Sequence, residues 1–457
     1  MAAGVEQVYR YARPSTVGVV DGQVDVRLST TGGSTAAGPA LHPRFFDGFL
    51  GHPEQTATSL LAVARVARTR FYVPPGILAA ILRAADPVVT SNGDRLRFES
   101  FAACCGVHAR LDVLPAGMDG PALDTGTTNV DFNPPMRAAL AGVGGIDPLH
   151  LAVGADVTVT TMDTAVTEDK VPLPVRWLKG FAEVQVATAD AEPALEVPAV
   201  EARRFLRGLP RSTGSRTATF WAVPAGSGLR LTSRPSAGAV CLAGPERLQV
   251  LEPMLRFARS LRAYSVPGGT TDAARSSIWE LTLEDARLVV TLSPDVSRGF
   301  SGEGGVLRDL ADETSADDAD AVSVLLAFQP RIDIADVARQ AGMSEARARR
   351  ALGRLGAAGR VGYDAFERSY FHRELPYDPA ALEALHPRLR DARALVDAGA
   401  VRIDGDVATV LSGGGAHALR RAVAGWRCTC PWYGKHQDSR GPCKHVLAVE
   451  MVADATR

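Results

Sequence analysis

WRCTCPWYGKHQDSRGPCKHVLAVEMV, residues 426–452, holds Cys428, Cys430 and Cys443, three of the six cysteines in the 457-residue chain. His445 stands two places beyond the last of them, so the spacing is Cys-x-Cys, twelve residues, Cys-x-His. Alternate residues of an extended strand point to one side, so Cys428 and Cys430 can reach one ion. Cys443 and His445 can do the same from a turn that opens a helix over KHVLAVEMVADA. Three thiolates and one imidazole complete the tetrahedral ligand set of a structural Zn²⁺ and leave no open position for a reacting water. One structural zinc per chain is the expectation. Binding of this kind contributes on the order of 10–16 kcal/mol, enough to fold so short a segment. The twelve residues between the two pairs include Pro431, Gly434, Gly441 and Pro442 and read as a loop. Arg427, Lys435, Arg440 and Lys444 surround the site and are expected to stabilise the thiolates. His436, in the loop, is an alternative fourth ligand.

The four ligand positions resemble the signature of the SWIM zinc finger, C-x-C, a variable gap, then C-x-H. The resemblance covers about residues 411–457. It implies DNA or protein interaction in place of catalysis. GRVGYD, YFHRELPYD and RGFSGEG extend it: the whole chain is similar to bacterial SWIM proteins found beside MoxR-type ATPases and von Willebrand A domain proteins. That similarity implies a protein partner, of the AAA-type MoxR ATPase or von Willebrand A kind.

Bulk properties narrow the rest. The length implies about two to four domains. Apolar residues make up 46% and charged residues 22% of the chain, ordinary values for a protein that builds real cores. The formal net charge is -1, so an affinity for nucleic acid has to come from a local patch. No apolar run approaches the ~18 residues of a membrane span, and the N-terminus lacks the apolar core of a secretory signal. The cysteines form no disulfide framework, so a cytoplasmic, reducing location is expected and no membrane partner.

Residues 1–310 read as one large mixed α/β domain. ATSLLAVARVARTRFYV has helical spacing from Leu60 to Phe71, and DVTVTT (156–161) alternates as a strand does. SIWELTLEDARLVVTL reads as a hairpin with its turn near Glu284-Asp285. ARVARTRFY before LRFESF and ARLDVL echoes RFARSLRAY before WELTL and ARLVVTL. Both read as helix, strand, strand, the pattern of an internal duplication.

The acidic stretch ADETSADDAD, 311–320, reads as an exposed linker. Beyond it, AVSVLLAF, DIADVARQAG and the segment from Ser344 to Ala358 read as three helices, with Ser344 as the N-cap of the third. The order resembles a winged helix-turn-helix over 321–380. Ala348, Ala351, Leu352 and Leu355 are its core stripe. Arg347, Arg350 and Arg354 share another face, suited to phosphates and base edges, with Arg360 at the start of the wing. Residues 381–410 read as a connector of helix and hairpin turning at Asp404-Gly405, with Gly413–Gly415 as a flexible joint before the finger at 411–457.

The expected architecture is therefore α+β and multidomain: a large mixed N-terminal domain, a winged helix-turn-helix and a small zinc-binding strand-loop-helix. The expected function is a zinc-binding, non-enzymatic interaction protein. It would bind DNA, a protein partner or both through Arg347, Arg350, Arg354, Arg360, Lys435, Arg440 and Lys444. The alternative is an enzyme whose N-terminal active site is targeted by the C-terminal modules. Nothing in 1–310 matches a catalytic motif well. Cys104, Cys105 and His108 near Glu99 read as core, Asp124, Asn129, Asp131 and Asn133 as turn residues, and SRGFSGEGG as a constrained turn. Trp177 suits either a binding surface or a strand edge.

Overall fold

The computed structural model describes residues 14–20, 23–69, 87–145, 147–154, 175–211, 219–266, 274–312, 314–375, 386–423 and 425–455. The expected strand at 156–161 lies outside them. Within 1–310 the chain is built on a ten-stranded antiparallel sheet. Two three-stranded meanders form its middle. One is Val88–Ser91, Leu96–Phe101 and Val107–Val113; the other is Ser260–Ser265, Ser277–Thr282 and Ala286–Leu292. They join edge to edge, with Leu111 opposite Leu288. The hairpin expected at SIWELTLEDARLVVTL is present, and Asp285 takes a positive φ of 50° in its turn.

The two echoed segments occupy different elements. ARVAR ends the helix Pro53–Arg68, as expected, but SLRAY lies in the strand Ser260–Ser265. The reason is alternation: Leu261 and Ala263 pack inward while Arg262 turns out to Glu196 and Glu280. A helix would have split that set.

The strands of the central sheet alternate strictly. Leu96 and Phe98, Ala109 and Leu111, and Leu288 and Val290 face the helix Pro53–Arg68 and the main apolar core. Arg97 and Glu99, His108, Arg110 and Asp112, and Arg287 face the other way. Alternation of this kind ordinarily marks one wet face. Here both faces are buried, because later segments of the chain cover the charged one.

Two elements form the cover. The helix Val175–Thr188, called the bridging helix here, buries Trp177 and Phe181 against Phe101. Trp177 is 1% exposed, so it is neither a binding surface nor a strand-edge anchor. The hairpin Val361–Asp364 with Ser369–His372 lays Phe371 under the Arg97 guanidinium, 4.1 Å from the ring centre.

That hairpin belongs to a unit of helices Thr314–Ser323, Ile334–Gln340 and Glu345–Ala357, closed by a bridge between Ile332 and Tyr370. The expected linker at 311–320 is therefore corrected. Most of it is the helix Thr314–Ser323, whose Ala319 and Val322 are buried in the unit's core. Small residues and acids at the helix start read alike in a linker and in an amphipathic first turn, and only packing separates them. For the same reason the expected helix AVSVLLAF is displaced, since only its first three residues are helical. The two following helices and the Ser344 cap stand where expected, and Ala348, Ala351, Leu352 and Leu355 are buried.

The helix Pro387–Asp397 leads into a four-stranded antiparallel sheet, Val401–Asp404, Val407–Ser412, Gly415–Ala422 and Gly425–Cys428. Its first turn is centred on Gly405-Asp406, one residue later than expected, with only Gly405 at positive φ (59°). The expected flexible joint is a tight hairpin turn: Ser412 pairs with Gly415, and Gly413 and Gly414 take φ of 62° and 78°. Hairpin and finger thus share one sheet, and no boundary falls at 411.

Candidate metal centre

The last strand ends at Cys428, and two residues on Cys430 caps the short helix Pro431–His436. Part of the expected loop is thus helical. After a turn through Gly441 (φ 69°), Cys443 and His445 open the helix Lys444–Ala455, the closing helix. One ligand atom from each of Cys428, Cys430, Cys443 and His445 lies within 4.8 Å of the others, and all four residues are buried. Cys428 Sγ is 3.7 Å from His445 Nδ1. A tetrahedron with Zn–S near 2.3 Å and Zn–N near 2.05 Å has such an edge at about 3.6 Å. Among the described residues, His445 Nε2 is buried with no hydrogen-bond partner.

Backbone amides serve the sulfurs. Cys430 N donates to Cys428 Sγ, Tyr433 N to Cys430 Sγ and Val446 N to Cys443 Sγ, each at 3.4 Å. Two of these donors belong to first turns of helices, where N–H groups lack helical partners and favour negative charge. The expected ring of cations is corrected accordingly. Arg427 projects from the opposite face of the sheet, Lys444 lies 3.9 Å from Asp391, and Arg440 is turned toward Gly302. His436 lies tilted against Trp432, ring centres 4.6 Å apart, and is absent from the ligand cluster.

Without a cation the site is a crowd of thiols. The Cys428 thiol and burial together push Cys443 up to about 12. A divalent cation reverses that balance by making thiolates of its ligands.

Residues 401–454 match the SWIM zinc finger family. Cys428, Cys430, Cys443 and His445 form one zinc site in it. The match begins ten residues before the expected start of the finger and takes in the whole four-stranded sheet. No curated protein matches the chain. Among solved structures the chain is similar to proliferating cellular nuclear antigen from Entamoeba histolytica, at 10% identity, over 55% of this chain and 99% of that one. The TM-score is 0.31, too low to establish a shared fold. Among the described residues no helix is long and apolar enough to cross a membrane.

The finger is tied to the body on two sides. Val446 and Val449 of the closing helix pack with the zinc ligands, while Leu447 and Ala448 pack against Ala182, Leu307, Leu310 and Leu389. The Arg388 and Arg440 guanidinium groups lie over the Trp432 ring, 4.5 and 5.0 Å from its centre. Arg440 donates to the Gly302 carbonyl at 2.7 Å, and Arg388 to those of Glu303, Arg440 and Pro442 at 2.9, 2.7 and 3.1 Å. The glycine-rich turn at 298–305 is the seat of the finger. A side chain at Gly304 would collide with Arg388.

The other expected contact residues have internal partners. Arg347 meets Asp318 at 2.5 Å and Arg350 lies 3.7 Å from Asp312. Arg354 donates to the carbonyls of Asp309, Leu310 and Asp312 at 3.1–3.2 Å, and Arg360 meets Glu374 at 2.8 Å. Lys435 is exposed. Arg349 and Arg350 line a cleft of about 690 Å³, closed by the bridging helix, with Asp190, Asp309, Tyr363 and Tyr370.

Sequence reasoning missed the polar network beneath the hairpin. Asp364 accepts from Arg287 at 2.8 Å and lies 3.3 Å from Arg97 and from Arg110. Asp112 bridges the same three arginines at 3.0–3.2 Å. Burial alone would raise the Asp364 carboxyl, but the guanidiniums of Arg110, Arg287 and Arg97 hold it well below the usual carboxylate range. The signal was the charge at every second position in RLRFES and VHARLDV. Cys105 is buried, and burial pushes its thiol up to about 12, which makes it a poor nucleophile. Asp131 and Asn133 bond the backbone of Ser15 and Met136, as turn and cap residues do.

Proposed function

We propose that this chain is a zinc-stabilised, non-enzymatic binding protein that engages nucleic acid through its finger. The observation that carries the reading is the closed ligand set: four buried protein ligands leave no position for a substrate, so the metal shapes a surface. The segment 314–375 is read as a winged helix turned inward. Three helices, the short bridge at Ile332 and a hairpin support that order. Its arginine helix, Glu345–Ala357, packs against the bridging helix and engages Arg347, Arg350 and Arg354 with internal partners. A groove-entering helix needs those side chains free.

A protein partner of the MoxR ATPase or von Willebrand A kind is part of the proposal, supported by the resemblance of GRVGYD, YFHRELPYD and RGFSGEG to proteins encoded beside them. Three cysteines as zinc ligands and three outside any disulfide support a reducing, cytoplasmic setting.

The test uses the purified zinc-loaded chain and a fluorescent DNA duplex. Binding should weaken as salt rises and should vanish when the zinc is chelated. A chain that leaves the duplex free at every salt concentration would shift the reading to the protein partner. Pull-downs from the native cell, with and without nuclease, would then identify that partner.

A further inference from the structure

The outer face of the finger sheet carries three exposed arginines, Arg402, Arg420 and Arg427. Residues opposite one another in antiparallel strands share a face. One row across the sheet runs Asp404, Val407, Arg420, Arg427; the next runs Arg402, Thr409, Ala418. Leu419 and Cys428 pair on the other side, toward the metal. Arg402, Arg420 and Arg427 therefore project from one exposed surface, away from the zinc.

None of the three makes an ion pair among the described residues. Arg347, Arg350, Arg354, Arg360 and Arg440, by contrast, all have internal partners. Arg420 and Arg427 stand directly opposite, an arrangement in which like charges destabilise a sheet. Asp404 is the one carboxylate in these two rows, separated from Arg420 by Val407. A merely solvated face would be expected to interleave signs.

We infer that this face binds the phosphate backbone of duplex nucleic acid without reading its sequence. The inference rests on the nucleic-acid reading above and names its surface. Three features select the ligand. The cations are unpaired and face solvent, which suits a polyanion. The two rows and their neighbours Leu411, Ala416 and Thr429 include no aromatic side chain on which an unpaired base could stack. Four strands spaced about 4.8 Å apart span about 14 Å, wider than the ~12 Å major groove, so the sheet rests on the backbone.

The test is fluorescence anisotropy with the full zinc-loaded chain and a labelled duplex across a salt series. Three phosphate contacts add about -2.7 to the slope of log affinity against log salt, about -0.9 for each. Arg402→Ser/Arg420→Ser/Arg427→Ser should flatten the slope by that amount and weaken binding at least about ten-fold at low salt. Arg347→Ser/Arg350→Ser should leave both unchanged. The single change Arg420→Gln should remove about one unit of slope. Zinc content and circular dichroism report whether each variant has kept its fold. A parent that binds, with a folded triple variant of unaltered slope, overturns the inference and leaves the nucleic-acid reading standing. A parent that never binds overturns both. A single-stranded competitor that displaces the duplex at lower concentration overturns the choice of duplex.

Discussion

Arg373 Nη1 lies 2.7 Å from both carboxylate oxygens of Glu99, and both residues are buried although 274 positions separate them. The pair pins the end of the C-terminal hairpin to the middle of the central sheet. Glu99 also meets His108 Nε2 at 3.2 Å. Burial would raise the Glu99 carboxyl, but Arg373 and His108 hold it well below its usual range.

Removing one member leaves the other charge buried and uncompensated, which costs about 3–5 kcal/mol. Arg373→Met should therefore lower the unfolding free energy by about that amount in urea titration. The double variant Glu99→Gln/Arg373→Met should recover a large part of it. Additive losses would show that the pair is not coupled.

Glu183 behaves in the opposite sense. It sits on the bridging helix, accepts from Gly305 N at 2.9 Å, and burial pushes its carboxyl up to about 8. A carboxyl raised in the folded state contributes stability that is full below its ordinary value of 4.5 and is lost as pH rises through about 8. Wild-type stability should fall between those values, and Glu183→Gln should flatten the fall. Equal slopes for the two proteins in denaturant melts at pH 5 and pH 8 would refute the assignment.

Chelation should unfold more than the finger's own loop. The closing helix has the zinc ligands on one side and Leu307, Leu310 and Leu389 on the other. Removing zinc should raise amide exchange at 387–397 and 307–311 as well as at 425–455. Reloading should restore one zinc per chain and release protons, because the thiols enter as thiolates. Cys443→Ser should abolish stoichiometric binding.

Arg388→Ala should undock the finger without emptying it. The side chain contributes three hydrogen bonds to carbonyls and a cation–π contact with Trp432. Zinc content should stay at one per chain. Exchange at 299–305 and 431–442 should rise, by a local opening cost on the order of 2–3 kcal/mol. Protection unchanged at 299–305 would mean that the glycine-rich turn is held some other way.

Legibility followed the range of the interactions involved. The Ser344 cap and the apolar stripe of the arginine helix were visible because both are set within one or two turns. The linker misreading at 311–320 arose because small and acidic residues suit a solvated coil as well as a helix start. The displaced turn at Gly405-Asp406 shows the same limit. Either pairing satisfies the local chemistry, and the alternation of Ala408 and Val410 into the finger core selects one.

The sequence by itself determined the zinc site, because coordination requires particular atoms at short spacing and no distant residue has to help. It also determined which strands alternate. Tertiary structure alone decided what that alternation meant. Arg97, Glu99, Arg110 and Asp112 have the pattern of a wet face, yet a hairpin some 270 residues later in the chain, carrying Asp364, Phe371 and Arg373, covers them. It likewise separated the arginines: Arg347, Arg350 and Arg354 of the arginine helix meet Asp318, Asp312 and nearby carbonyls, while Arg402, Arg420 and Arg427 keep their charge for solvent. A charge in a sequence carries its sign, but the strength of its field depends on which neighbour the fold brings within a few ångströms.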